Sequence, residues 1–239
     1  VNVTVLDIEF EYNGTMQIIN PVVLQDNDFL ILVDAGYPKQ RIQFEESAKQ
    51  HGIQLEKLTH IILTHHDFDH IGSLAEFKRN YPSVKIVASE IEKEYIEKRK
   101  KPLRLQQAEK VYPSLLDKDK PKALIFHKIL ESIEEVKVDE IVTDHQLLPI
   151  GDGIEVIFTP GHTEGHISLY LKESKILISG DALFLDEQQL KIPHPEFAYD
   201  VEMAKASIKK LFNYEIDQII CYHGGLLKGN WKEAMSFEN

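Results

Sequence analysis

Thr64-His65-His66-Asp67-Phe68-Asp69-His70 packs three imidazoles and two carboxylates into seven consecutive residues, directly after the apolar run His60–Leu63. A short branched apolar run bounded by polar residues reads as a buried strand. The residues behind the quoted stretch, Ile71–Asn80, read as a helix stopped by Pro82. The stretch is therefore a strand-to-helix connection, and three later segments repeat the pattern. Thr159-Pro160-Gly161-His162-Thr163 follows the apolar strand Ile154–Phe158, Ser179-Gly180-Asp181 follows Lys175–Ile178, and Cys221-Tyr222-His223-Gly224-Gly225 closes Asp217–Cys221. Imidazole and carboxylate are the donors that zinc, iron and manganese accept. One histidine at a strand end is usually structural. Four such ends in one chain are hard to explain as core chemistry, because buried carboxylates without a cation are costly.

Outward from these ends, the chain alternates strands and helices. The N-terminal third reads as strands, Val3–Phe10, Thr15–Leu24 interrupted at Pro21, and Phe29–Val33, with turns at Tyr12-Asn13-Gly14 and Asp26-Asn27-Asp28. Pro38 to Gln50 reads as a helix with Gly52 past its end. Val84–Ala88 is a strand. A basic helical stretch then runs from Ile91 to Val111, broken at Pro102, with a loop over Pro113–Lys122 and a further helix over Leu124–Val136. The second half returns to strands at Glu140–Leu148, Ile154–Phe158, Ile167–Leu171 and Lys175–Ile178, with a tight turn at Gly151-Asp152-Gly153. A helix over Val201–Phe212 and a last buried strand, Asp217–Cys221, follow. Two β-rich layers with helices outside them are expected, in one domain over 1–239.

Composition bounds the function. The 239 residues carry 27 Lys+Arg against 39 Asp+Glu, a net charge of −12, which argues against a protein built mainly to hold nucleic acid. No run of about 18 apolar residues exists to span a membrane. The single Cys221 excludes an intrachain disulfide framework and fits a reducing compartment. Val1–Asn20 shows neither a basic n-region nor a long apolar core. A cytoplasmic enzyme acting on a small molecule is the expectation.

The ordered set of histidines and carboxylates resembles the metallo-β-lactamase-fold superfamily over nearly the whole chain. The family pattern is His-x-His-x-Asp-His, then a distant His, an Asp and a final His. His65, Asp69 and His70 match in register, His162 stands in the family's Pro-Gly-His-Thr form, Asp181 resembles the carboxylate that bridges two metals, and His223 the final ligand. Asp34, in Val33-Asp34-Ala35-Gly36, resembles an early Asp that braces the histidine loop. The resemblance implies an α+β fold, an αβ/βα four-layer sandwich with a helical insertion around residues 91–136. It implies two divalent metal ions, zinc first, with iron or manganese as alternatives. His65, Asp67 and His162 would hold one, Asp69, His70 and His223 the other, and Asp181 would bridge them. A metal-bridging hydroxide would then attack a small ester-like substrate, a lactone, thioester or related carboxylic ester, with Asp69 and Asp181 as catalytic carboxylates. Acyl-homoserine-lactone hydrolases and hydroxyacylglutathione hydrolases are the nearest functional analogies.

One position departs from the pattern. Asp67 stands where the second histidine is expected, and His66 lies one place early. In an extended segment residues i and i+2 share a side, so Asp67 takes the ligand place and His66 faces away. A carboxylate there makes the site harder and more anionic, which keeps an iron-dependent oxidoreductase or dioxygenase open. A non-catalytic, metal-stabilised binding module is the reading from another class, and a nuclease or a β-lactamase is disfavoured. The basic stretch Lys93–Lys110 is either a solvated excursion or a lid or dimerisation element, and a homodimer is one outcome. Cys221 reads as a small buried hydrophobe, and His166 and His194 as structural or surface residues. Tyr222 or Tyr199 is a possible donor to a substrate oxyanion, set against plain aromatic packing with Phe184 and Phe197. Thr64 and Thr159 read as loop braces.

Overall fold

A computed structural model describes residues 1–12, 14–151 and 153–237. Asn13 and Asp152, on which two expected turns depend, lie outside them. Among the described residues, two six-stranded sheets form the centre. The first runs, neighbour to neighbour, Asn2–Val5, Val22–Gln25, Leu30–Val33, His60–Ile62, Lys85–Ser89 and Glu140–Val142. Its pairings are antiparallel up to Leu30–Val33 and parallel beyond. The second runs Gly225–Lys228, Gln218–Cys221, Ile176–Gly180, Ile167–Leu171, Ile154–Phe158 and Leu147–Leu148. Only Ile176–Gly180 with Gln218–Cys221 is parallel there.

Alternation along the strands divides the core into three slabs. Ile31, Val33, Ile62 and Val87 of the first sheet meet Val156, Ile167, Leu169 and Ile220 of the second. The opposite face, with Leu32, Ile61, Leu63 and Ile86, is covered by Phe44 and Ala48 of helix Arg41–Gln50 and by Leu74 and Phe77 of helix Leu74–Asn80. Leu177, Ile219 and Cys221 on the outer face of the second sheet are covered by Ile208 and Leu211 of helix Val201–Leu211. Asp200 caps that helix, its side chain accepting from Met203 N–H. The layers are helix, sheet, sheet, helix, as the αβ/βα expectation has it.

Several boundaries differ from the sequence reading. Val3–Phe10 is two strands, Asn2–Val5 and Ile8–Tyr12, because the chain turns off the sheet after Leu6 N–H bonds Pro21 O. Ile8–Tyr12 pairs instead with Thr15–Ile19 as a separate hairpin. Ile71–Asn80 splits into helices Phe68–Ile71 and Leu74–Asn80. The break falls at Gly72, where a Cβ would sit 2.3 Å from Pro38 N, so only glycine fits between the two segments. Glu140–Leu148 is also two strands, one in each sheet. His145, in the left-handed region at φ 61°, reverses the chain between them. In the middle segment Glu90–Ile96 and Leu103–Val111 are helices on either side of Pro102, as expected. The last helix is Lys120–Ser132 and starts earlier than read, with Pro121 in its first turn.

Candidate metal centre

The three histidine-bearing strand ends and the Asp181 end converge at one edge of the sandwich. Asp69, His70, Asp181 and His223 each offer a donor atom within 4.8 Å of the others, and His65, Asp67 and His162 form a second such group. The groups adjoin: Asp181 Oδ1 lies 3.3 Å from His70 Nε2, and Asp181 Oδ2 lies 3.5 Å from His223 Nε2 and 3.7 Å from His162 Nε2. Asp67 Oδ2 is 3.2 Å from His162 Nε2, and Asp69 Oδ2 is 3.2 Å from His223 Nε2.

The backbone and the neighbouring side chains aim these donors. Asp34 Oδ1 accepts the Thr64 N–H and Oδ2 the Thr64 hydroxyl, both at 2.8 Å. With its proton given to Asp34, the Thr64 hydroxyl accepts from His65 Nδ1 at 3.0 Å, which leaves the Nε2 lone pair of His65 facing the centre. The same Asp34 Oδ2 is 2.9 Å from His70 Nδ1. Asp34 therefore braces the loop, and Thr64 acts with it. On the opposite strand ends His166 Nε2 accepts the Asp181 N–H at 3.0 Å, and its Nδ1 meets the Thr159 hydroxyl at 2.8 Å. Burial, with His162 beside it, lowers the His166 pKa to about 3, so this imidazole is a neutral structural acceptor.

His66 stays outside both groups. Its Nδ1 pairs with Glu92, its ring stacks on Tyr95 with centroids 4.1 Å apart, and its Nε2 accepts the Leu103 N–H at 3.2 Å. Glu92, fully buried, also accepts from the Thr163 hydroxyl at 2.6 Å and the Gly165 N–H at 3.0 Å. The carboxylate ties the His65–His70 loop, the His162 loop and the insertion to one point. Sequence reasoning passes over Glu92, and its one visible signal is an acidic residue three places after the helix-capping Ser89. Arg104 reads in the sequence only as one member of a basic run. It reaches the site from helix Leu103–Val111, donating to Asp67 Oδ2 at 3.0 Å. Burial alone would raise the Asp67 carboxyl, but Arg104 and His162 hold it well below the usual range.

Three further side chains have plain roles. The Tyr222 hydroxyl is buried and donates to Asp69 O at 2.7 Å, so it braces the loop and is not turned to a substrate. Tyr199 is exposed, and its N–H bonds Gly161 O and His162 O. Cys221 is fully buried among apolar residues, and burial pushes its thiol up to about 12.

The donor set fits divalent cations. His65 Nε2, Asp67 Oδ1, His70 Nε2, His162 Nε2 and Asp181 Oδ1 are buried without a hydrogen-bond partner among the described residues. Such orphans are rare in native interiors, and divalent ions at the points they face would satisfy them. The groups open into a cavity of about 460 Å³. Tyr37, Phe68, Phe126, Phe184, Pro193 and Phe197 wall it, with His194 and Arg104 as polar members beside the donors.

Fold and site together define a class, metal-dependent hydrolases with donor loops at the edge of an αβ/βα sandwich. The model of the metallo-beta-lactamase superfamily matches residues 14–223, and the chain belongs to that family. It is 30% identical over 229 residues to a probable metallo-hydrolase, YflN, of Bacillus subtilis (strain 168), covering 88% of this chain and 82% of the relative. An N-acyl homoserine lactonase of Bacillus cereus is 30% identical over 215 residues, 79% of this chain and 73% of its own. Among solved structures, the metallo-beta-lactamase family protein TTHA1429 from Thermus thermophilus superposes with a TM-score of 0.74 at 21% identity, covering 97% of this chain and 76% of that one. That likeness bears on the fold. No helix among the described residues is long and apolar enough to cross a membrane.

Proposed function

We propose that the protein hydrolyses a small ester-like bond, a lactone, a thioester or a related carboxylic ester, with two divalent cations held by the converged side chains. The carrying observation is the pair of donor groups with orphaned atoms opening into an aromatic cavity. His65, Asp67 and His162 are assigned to one cation, Asp69, His70 and His223 to the other, and Asp181 between them, as its distances to His70, His162 and His223 support. Zinc is the first choice, since four of the seven donors are imidazoles and the rest carboxylates, the ligands zinc accepts. When bound, the cations polarise the substrate carbonyl and lower the pKa of water to near neutrality.

The chain's own groups then do the following. The walls formed by Phe68, Phe126, Phe184 and Phe197 take the apolar part of the substrate and exclude water from it. Asp69 stands at the cavity with Oδ2 toward His223, and it carries the proton of the attacking water to the leaving oxygen or sulfur. Water adds to the carbonyl carbon, the C–O or C–S bond breaks, and the products are a carboxylate and an alcohol or thiol. The similarity to the Bacillus cereus lactonase supports lactones as first substrates. We place the enzyme in the cytoplasm, as a single domain over 1–239, with no nucleic-acid partner and a homodimer as its candidate assembly.

The test is a screen of γ-lactones, acyl thioesters and aryl esters at neutral pH, before and after metal stripping and zinc return. Zinc-restored hydrolysis of at least one class supports the reading, and no hydrolysis by the loaded protein contradicts it. Asp67 favours one second reading, an iron-dependent oxidoreductase, because a carboxylate donor suits a harder metal. Iron as the dominant metal in protein purified anaerobically would select it.

A further inference from the structure

The insertion sends one charged side chain into the site. That side chain meets the single position at which the donor pattern departs from imidazole. Arg104 Nη2 donates to Asp67 Oδ2 at 3.0 Å across 37 residues of chain. Its Nη1 donates to Gln107 Oε1 at 3.1 Å, Gln107 in turn donates to Ala198 O at 3.3 Å, and the guanidinium lies over the Phe197 ring, 4.8 Å from its centroid. The Arg104 side chain is 14% exposed and that of Asp67 5%. Held from three sides at such burial, this is a built contact, unlike the insertion's ion pairs in open solvent, such as Lys101–Glu109. The helix bearing Arg104 is pinned at its start, where the Leu103 N–H bonds His66, the residue next to Asp67.

A carboxylate in place of an imidazole adds one negative charge to a buried donor set that already contains Asp69 and Asp181. Arg104 adds one positive charge at that carboxylate. We infer that Arg104 is the counter-charge that lets Asp67 stand where an imidazole would, a positioning residue matched to Asp67 that need not touch the substrate. The inference rests on the reading of His65, Asp67 and His162 as a metal-holding group. It makes residues 67 and 104 a unit. Beside Asp67 the guanidinium is paired. Beside a neutral imidazole it becomes a desolvated positive charge facing a divalent cation, and it repels that cation.

The test is a double-substitution cycle on the full chain with Asp67→His, Arg104→Gln and the pair. Two quantities are read, zinc affinity by competition with a chelating dye and the melting temperature of the metal-stripped chain. Asp67→His alone weakens zinc binding by about 10-fold or more, the scale of a lost outer partner. Adding Arg104→Gln returns the affinity to within about 3-fold of the parent, because the two changes are coupled. In the metal-stripped chain, Arg104→Gln lowers the melting temperature when Asp67 is present and does so much less in the Asp67→His background. Equal effects of Arg104→Gln in both backgrounds, on both readouts, overturn the inference. If Asp67→His does not fold, Arg104→Lys decides. It keeps the charge and recovers most of the melting temperature lost in Arg104→Gln, whereas equal losses overturn the counter-charge role. A parent chain that takes up no divalent cation overturns the metal reading and this inference with it. A parent that binds metal while the substitutions remain additive overturns this inference alone.

Discussion

The two donor groups interleave in sequence and differ in setting. His65, Asp67 and His162 are between 0% and 5% exposed and lie under the insertion, with Arg104 against Asp67. Asp181 and His223 have side chains 15% and 34% exposed and face the cavity. The first group is the more deeply buried and has Arg104 beside its carboxylate, although Asp67 and His162 border the same cavity. The second has an open side on which a substrate can lie. A single strand-end loop feeds both, and the bracing follows the same division in part. His66 and Glu92 anchor the enclosed side to the insertion and Tyr222 holds the Asp69 side, while Asp34 serves both, through Thr64 to His65 and directly to His70.

Perturbing the groups one at a time tests this division. Asp181 touches both, so Asp181→Asn is expected to lower kcat/KM by about 10²-fold or more, the scale of removing one preorganised electrostatic group. Unchanged activity would break the shared-carboxylate reading. His66→Ala acts only on the enclosed side. It leaves Glu92 buried and short of one partner, so the chain should lose about 3 kcal/mol in denaturant unfolding while its metal content per chain is retained. Metal lost in His66→Ala and kept in Asp67→Ala would reverse the assignment of the two residues. Phe126→Ala acts only on the open side, and KM for a substrate with an apolar acyl group should rise roughly 10-fold with kcat little changed. Tyr222→Phe removes one buried hydrogen bond and should cost about 1 kcal/mol with kcat preserved. A collapse of kcat would return Tyr222 to the substrate.

The enclosed and open groups also differ in how they are written in the sequence. Each donor could be read because each lies at the end of an apolar strand, a local pattern. The choice of Asp67 over His66 follows from two-residue alternation, and the structure groups Asp67 with His65 and His162 and pairs His66 with Glu92. The supports are not legible. Arg104 and Asp67 are 37 residues apart, Glu92 and Gly165 73, and no local periodicity records such a pairing. The split of Glu140–Leu148 escapes the sequence reading because apolar residues flank both sides of its turn. The usable signal is Asp144, whose side chain accepts the Phe158 N–H beside the reversing His145. The hairpin Phe184–Asp186 with Gln189–Lys191 escapes it for its shortness, three residues a strand.

On the proposed reading the two groups hold divalent cations, and hydrolysis depends on them. Elemental analysis of protein purified anaerobically, without added metal or chelator, tests it most directly. About two zinc or manganese ions per chain are expected, falling in Asp181→Asn, with activity that follows metal content. A folded chain that carries no bound metal, or one that hydrolyses its substrate equally well after full stripping, would contradict it.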